Sequence, residues 1–236
     1  VKERKYSFVT VLIGVALVAL GWTGARTYYS GHRRAAFFGV DGLKELEPIL
    51  EKYGSQRYSS RNLEEWLIRD YFQDRRNGVF LDVGANDYQK ESNTYFLETE
   101  LGWSGIAIDA LSEFASGYRD HRPRTKFFAY FVSDGARSTA QIYVPEKNKL
   151  VASVSRKFTE EEGAPGAPKT VPTTTLDNLL EKAGVSGLDF VSMDIELSEP
   201  KALAGFDIEL YRPSLVCIEA HPEVRQQILD YFARHH

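Results

Sequence analysis

Four short segments of this chain are near-unbroken apolar runs: "VFLDV" from Val79, "GIAIDA" from Gly105, "LDFVSMDI" from Leu188 and "SLVCIEA" from Ser214. A strand with one wet face alternates apolar and polar residues. A strand that is apolar on both sides has both faces covered, as in a parallel sheet lying between helices. The spacing predicts strands over Val79–Asn86, Gly105–Ala110, Leu188–Glu196 and Ser214–His221, with further strands over Lys126–Ser133 and Gln141–Pro145. Helical patterns fall between them: Ser92–Leu101 with Ser92 as N-cap, Ser112–His121 stopped by Pro123, Leu176–Ala183, and Glu223–Arg234. Alternation of this kind predicts an open α/β fold with a mostly parallel sheet and helices on both faces.

The segment Lys147–Pro172, with "GAPGAP" inside it, reads as a long loop or lid. Upstream, Arg61–Arg75 reads as a helix: Leu63, Trp66, Leu67 and Tyr71 recur at helical spacing, Glu64 and Glu65 lie in the first turn, and Asn77-Gly78 ends it. Leu43–Tyr53 reads as a short amphipathic helix interrupted by Pro48. Residues 61–236 are expected to form the globular domain, and 31–60 a linker with that short helix.

Residues 1–30 read as a membrane anchor. Ser7–Ala25 carries no charge over about 19 residues, roughly 28 Å as a helix and close to the thickness of a bilayer's hydrocarbon core. Tyr6, Trp22, Tyr28 and Tyr29 stand where interfacial aromatics belong. The expectation is one transmembrane helix at about 7–25 and a single-pass membrane protein. Lys2, Arg4 and Lys5 on one side balance Arg26, Arg33 and Arg34 on the other, so the basic flanks leave the orientation open.

A formal charge of -4 argues against a nucleic-acid partner. The single cysteine, Cys217, lies in an apolar run and is expected to pack in the core; one thiol also excludes a disulfide framework and a cysteine-based zinc site.

Ligands of open α/β sheets bind beyond the carboxyl ends of the strands. The groups expected there are Asp82, Gly84 and Asn86 after the first strand, Asp109 after the second, Ser133 and Asp134 after the third, Asp194 and Glu196 after the fourth, and Glu219 and His221 after the fifth. A dinucleotide would need a glycine-rich turn opening a helix, but the turn here is "GANDYQ", and Asp87 would repel a pyrophosphate. A P-loop is absent. A phosphate-free cationic nucleoside suits acids better, and S-adenosylmethionine carries an ammonium group, a sulfonium and a ribose diol. Asp82 would then lie near the ammonium, Gly84 would let the backbone approach the methionine part, Asp109 would meet the ribose hydroxyls, and Ser133 and Asp134 would edge the adenine.

Three blocks, "FLDVGAND…SNTYFLETELGWSGIAIDA", "DFVSMDIE…EPKALAGFD" and "RPSLVCIEAH", together resemble the FkbM-like family of S-adenosylmethionine-dependent methyltransferases. The resemblance covers about Leu63 to Phe232. It implies a Rossmann-like domain that O-methylates a sugar, lipid-linked or natural-product hydroxyl. It puts Asp82, Gly84, Asn86 and Asp109 on cofactor positions, and Asp194 and Glu196 on the acidic motif beside the active site. Where the family usually has glycine, this chain has Tyr88, and "DIELSE" stands for the usual "DIEGAE". The further pair of strands that ends the family fold is not recognisable, which would leave the edge of the fifth strand open.

Methyl transfer to oxygen requires donor and acceptor in line and removal of the hydroxyl proton. Residues two apart on a strand face the same way. Asp194 with Glu196, and Glu219 with His221, therefore form two pairs on strands expected to be neighbours. His221 is the expected base, with Asp194 and Glu196 beside it. Oxygen donors and one imidazole permit a divalent metal such as Mg²⁺ without calling for one. The expected enzyme keeps its globular part in the cytoplasm, where the methyl donor is. The alternative expectation is a catalytically silent methyltransferase-like subunit, docked by its transmembrane helix into a larger membrane complex.

Overall fold

The computed structural model describes residues 10–14, 48–49, 51–54, 56, 59–61, 63–135, 139–146, 149–161 and 165–235. In chain order the elements are β1 (Thr10–Gly14), α1 (Glu64–Phe72), β2 (Val79–Val83), α2 (Tyr95–Thr99), β3 (Ser104–Asp109), α3 (Ala115–His121), β4 (Thr125–Ala129), β5 (Phe131–Val132) and β6 (Thr139–Val144). They continue with α4 (Arg156–Glu161), β7 (Ala167–Thr174), α5 (Leu176–Ala183), β8 (Phe190–Met193), α6 (Glu199–Ala204), α7 (Ile208–Tyr211), β9 (Leu215–Glu219) and α8 (Pro222–Arg234).

The main sheet has the order β1-β9-β8-β2-β3-β4, and every pairing in it is parallel. β2, β3, β8 and β9 are apolar on both sides because each side is covered. Leu81, Val83, Ile106, Ile108, Val191 and Val216 pack with residues of α5, α6, α7 and α8 on one face. Phe80, Phe190, Leu215 and Cys217 pack with α1 and α2 on the other, where α3 adds Tyr118 against Ala107. A fully buried leucine such as Leu81 contributes about 1.5–3 kcal/mol.

The covering helices follow from their spacing. In α8, Val224, Ile228, Tyr231 and Phe232 are buried at helical intervals, and Pro222 at the start fits a position with no partner for its nitrogen. In α5, Leu176, Leu179 and Leu180 form the inner stripe; the Thr175 hydroxyl accepts from the Asn178 amide, and Gly184 closes the helix at φ 74°.

Several sequence expectations are revised. The helix expected over Arg61–Arg75 ends at Phe72, because Gln73 and Asp74 adopt left-handed backbone, and Gly78 lies beneath the ring of Trp103. The strand expected to reach Asn86 stops at Val83. The segment read as a loop after Lys147 holds a 3-10 turn (Lys149–Val151), α4 and β7. With β5 and β6, β7 builds a second sheet in the order β5-β7-β6. The strand expected over Lys126–Ser133 is two strands, and the chain changes sheets at Tyr130. Two short helices, α6 and α7, were not expected.

At the N-terminus, five residues of the apolar run expected to be a membrane helix form β1, paired in parallel with β9 from Thr10↔Leu215 to Gly14↔Glu219. The edge of β9 that was expected to be open therefore carries a strand. The rest of the 7–25 segment lies outside the described residues. No helix among the described residues is long and apolar enough to cross a membrane.

Candidate functional site

Successive strands run outward from β2 in both directions, through β3 and β4 on one side and β8 and β9 on the other. The crevice at this switch point is where an open parallel sheet offers a site. Two backbones nearly touch there. Gly84 has φ 82°, and a Cβ on it would stand 1.8 Å from the carbonyl oxygen of Asp194. The glycine is required by contact with the β8 exit, in addition to lining the crevice.

A depression opens beside this point. It spans about 570 Å³ counted with the solvent at its mouth, although only about 60 Å³ of it stands clear of the walls by a water radius. Gly84, Asn86, Asp109, Asp194 and Glu196, all expected site residues, line it. The small sheet supplies the opposite wall through Phe131, Val132 and Ile142.

Asp109 is fixed by backbone. Its Oδ2 accepts from the Asn86 amide at 3.1 Å and its Oδ1 from the Leu111 amide at 2.7 Å. Each oxygen keeps a second lone pair for a ligand donor. Burial pushes the Asp109 carboxyl up to about 6, with the charges of Glu113 and Asp82 adding to the rise. Asp87, expected to repel phosphate, closes its own turn by accepting from the amides of Gln89 and Lys90.

Asp82 shares a sheet face with Asp109, since its register partner is Ala107, two residues before Asp109 on β3. It does not line the depression. It is buried, and its Oδ2 accepts the Thr94 hydroxyl at 2.7 Å. Burial pushes Asp82 up to about 6, against the pull of Thr94 and the positive charge of Arg122. Behind Thr94 is a network that sequence reasoning missed. Arg122, with its side chain closed to solvent, donates from Nε to Glu98 at 2.5 Å, from Nη1 to the Tyr88 carbonyl at 2.8 Å and from Nη2 to Thr94 Oγ1 at 3.1 Å. The Thr125 hydroxyl also donates to Glu98.

The acidic groups at the other strand ends do meet. His221 Nε2 lies 3.3 Å from Glu196 Oε2 and 3.0 Å from Glu219 Oε2. The Phe158 ring of α4 meets the imidazole edge-on. Burial alone would lower the His221 pKa, but the two carboxylates outweigh it and hold it up at about 11. The ring is thus an imidazolium near neutrality, which removes it from the role of base that its type suggested. Asp194 is the stronger candidate. Loss of bulk water, then the charge of Glu219, push its carboxyl well above the usual range. Its residue surface is nevertheless exposed, so solvent at the open side tempers that rise.

The turn after Asp194 is left-handed twice over, with Glu196 at φ 52° and Leu197 at φ 74°. A glycine would adopt the second conformation without strain, whereas a leucine there is strained. Glu199 ends the turn: it is fully buried, and its Oε1 accepts from the Ile195 amide at 3.0 Å. Burial, then the charges of Asp194 and Glu196, push Glu199 up to about 7. A second acid three residues after Glu196 was the available signal for it.

Ser133 and Asp134 are joined to each other, hydroxyl to Oδ1 at 3.0 Å; neither lines the depression, although Val132 beside them does. Tyr88 also stays off its walls. Its ring stacks on His121 at 4.4 Å and presses on the backbone of Gly117. Cys217 is a buried thiol of the core, its pKa raised by burial.

The family model for the FkbM methyltransferase domain matches residues 82–236. That span starts at Asp82 and contains the whole crevice. No curated protein and no solved structure gives a match.

Proposed function

The chain belongs to the FkbM methyltransferase-domain family, a methyltransferase family, and from that premise we propose that it transfers the methyl group of S-adenosylmethionine to a hydroxyl, on a sugar, lipid-linked or natural-product acceptor. One observation carries the cofactor assignment. Asp109 presents a backbone-anchored carboxylate on the wall of a switch-point crevice that has no glycine-rich phosphate turn. Its spare lone pairs suit a diol, and Gly84 and Asn86 border the same space. When bound, the cofactor supplies an electrophilic methyl on a sulfonium.

The protein's own tasks are then two. The walls position donor and acceptor, and Asp194 takes the acceptor's proton at its carboxylate while the His221 imidazolium offsets the charge of Glu196 and Glu219. The membrane helix does not enter this proposal, because Thr10–Gly14 within it form β1. The second reading, a silent subunit, loses one of its supports because Tyr88 packs away from the crevice, and keeps another in Leu197 of the Asp194 turn.

Calorimetric titration of the full chain with S-adenosylmethionine tests the assignment. Saturable 1:1 binding is expected. Asp109→Asn should weaken it by about tenfold or more, since a hydrogen bond to a charged group contributes roughly 1.5–3 kcal/mol. Absence of binding at millimolar ligand would overturn the reading.

Acid gives a second test. Asp82 and Asp109 both titrate near 6. Affinity is therefore expected to be level above pH 7 and to fall below pH 6, by at most about tenfold per pH unit for each carboxylate the ligand needs ionised. The unliganded fold goes the other way. These two acids have folded pKa values above their unfolded ones, so their contribution to stability increases as pH falls from about 6 towards 4. Titrations between pH 5 and 8 separate the trends; an affinity that rises with acid would contradict the assignment.

A further inference from the structure

Beside the crevice, carboxylate oxygens of Asp194, Glu199 and Glu219 all lie within 4.8 Å of one another. Acidic clusters are common on protein surfaces and mean little alone. This one has a feature a surface cluster lacks. Glu199 is 0% exposed, and while its Oε1 is engaged by the Ile195 amide, its Oε2 has no hydrogen-bond partner among the described residues. An unpartnered buried carboxylate oxygen is costly and is normally paired or coordinated. Four carboxylates, counting Glu196, meet here with one imidazole, whose contacts go to Glu196 and Glu219. Arg61, exposed, acts on Asp194, and no cation is among the groups acting on Glu199. The nearby positive groups leave Glu199 unanswered.

We propose that Asp194, Glu199 and Glu219 bind one hard divalent cation, of the Mg²⁺, Mn²⁺ or Ca²⁺ class, with His221 holding Glu219 in place from behind. The donor set decides the class: three carboxylates and no sulfur favour hard ions over zinc or copper. Size permits it: oxygens no more than 4.8 Å apart can share one coordination sphere, whose opposite ligands stand about 4.2 Å apart for Mg²⁺ and about 4.6–5.2 Å for Ca²⁺. The site does not depend on the methyl-transfer reading; Asp194 would give one oxygen to the ion and keep the other for the acceptor's proton. A cation there would also bring the Asp194 end of the crevice wall under control of the metal supply.

Titration of the full chain with Mn²⁺, followed by the electron paramagnetic resonance signal of the free ion and without S-adenosylmethionine, tests it. One saturable site is expected, displaced by excess Mg²⁺ or Ca²⁺. Glu199→Gln keeps the bond from the Ile195 amide and should weaken Mn²⁺ at least tenfold, as should Glu219→Gln. No saturation by about 1 mM Mn²⁺ overturns the proposal, as does wild-type affinity in both variants. Should one variant fail to fold, the other variant and a metal-dependent rise in the wild-type Tm still decide. Because the readout is metal alone, a failure here leaves the cofactor titration untouched, and the reverse.

Discussion

Arg122→Met is expected to lower stability by about 3–5 kcal/mol, because it strands the buried Glu98 carboxylate without its cation. In a domain of this size that corresponds to roughly 6–20 °C in Tm. The Arg122–Glu98 pair is closed to solvent on both sides, so neither screening nor water can compensate. The arginine also gathers three parts of the chain: the Tyr88 carbonyl, Thr94 and the start of β4 through Thr125. Thr94 in turn donates to Asp82, so the loss reaches that buried carboxyl on β2. The double variant Glu98→Leu, Arg122→Met removes both charges and should recover much of the loss. Urea denaturation of the wild type and these two variants measures this. A single-variant loss below about 1 kcal/mol would mean that the pair is not the anchor described here.

Gly84→Ala is the second large effect. The added methyl falls at 1.8 Å from the Asp194 carbonyl, and the backbone at φ 82° is itself unfavourable for alanine. The conformational part costs about 1–2 kcal/mol and the overpacking about 1–3 kcal/mol or more. The obstacle is main chain on the central strand pair, which cannot step aside as a side-chain tip could. A total of about 3–5 kcal/mol is expected, together with at least a tenfold loss of S-adenosylmethionine affinity in whatever fraction folds, since β2 and β8 must separate to admit the methyl. Retention of both properties would show that the Asp194 turn yields easily.

Much of the main sheet was legible, and the reason is physical. Strands covered on both faces must be apolar throughout, so "VFLDV" and "SLVCIEA" declare themselves. The small sheet was hidden by its prolines. Pro168 and Pro172 made β7 look like loop, yet they pair opposite Tyr143 and Thr139 in the antiparallel β6–β7 ladder, while parallel pairing to β5 involves only Thr173 and Thr174. Pro200 concealed α6 in the same way, although proline is well tolerated in a first turn. Periodicity could not find Arg122. Its acid lies 24 residues away in sequence, and a fully buried arginine runs against the ordinary preference of that side chain. For His221 the residue types at the strand ends suggested a meeting with Glu196. What they did not give is distance, and distance to two carboxylates sets the protonation state and hence the role.

The rim strand β1 has a consequence for how the molecule assembles. Thr10 pairs with Leu215, about 205 positions along the chain, whereas β2 and β3 pair across about 25. Closing so long a loop adds only modest entropy, but β9 has to be seated before it can offer β1 anything to dock on. Nascent chains therefore pass through an interval with an unprotected lateral ladder, the moment of greatest exposure to intermolecular stacking and to chaperone capture.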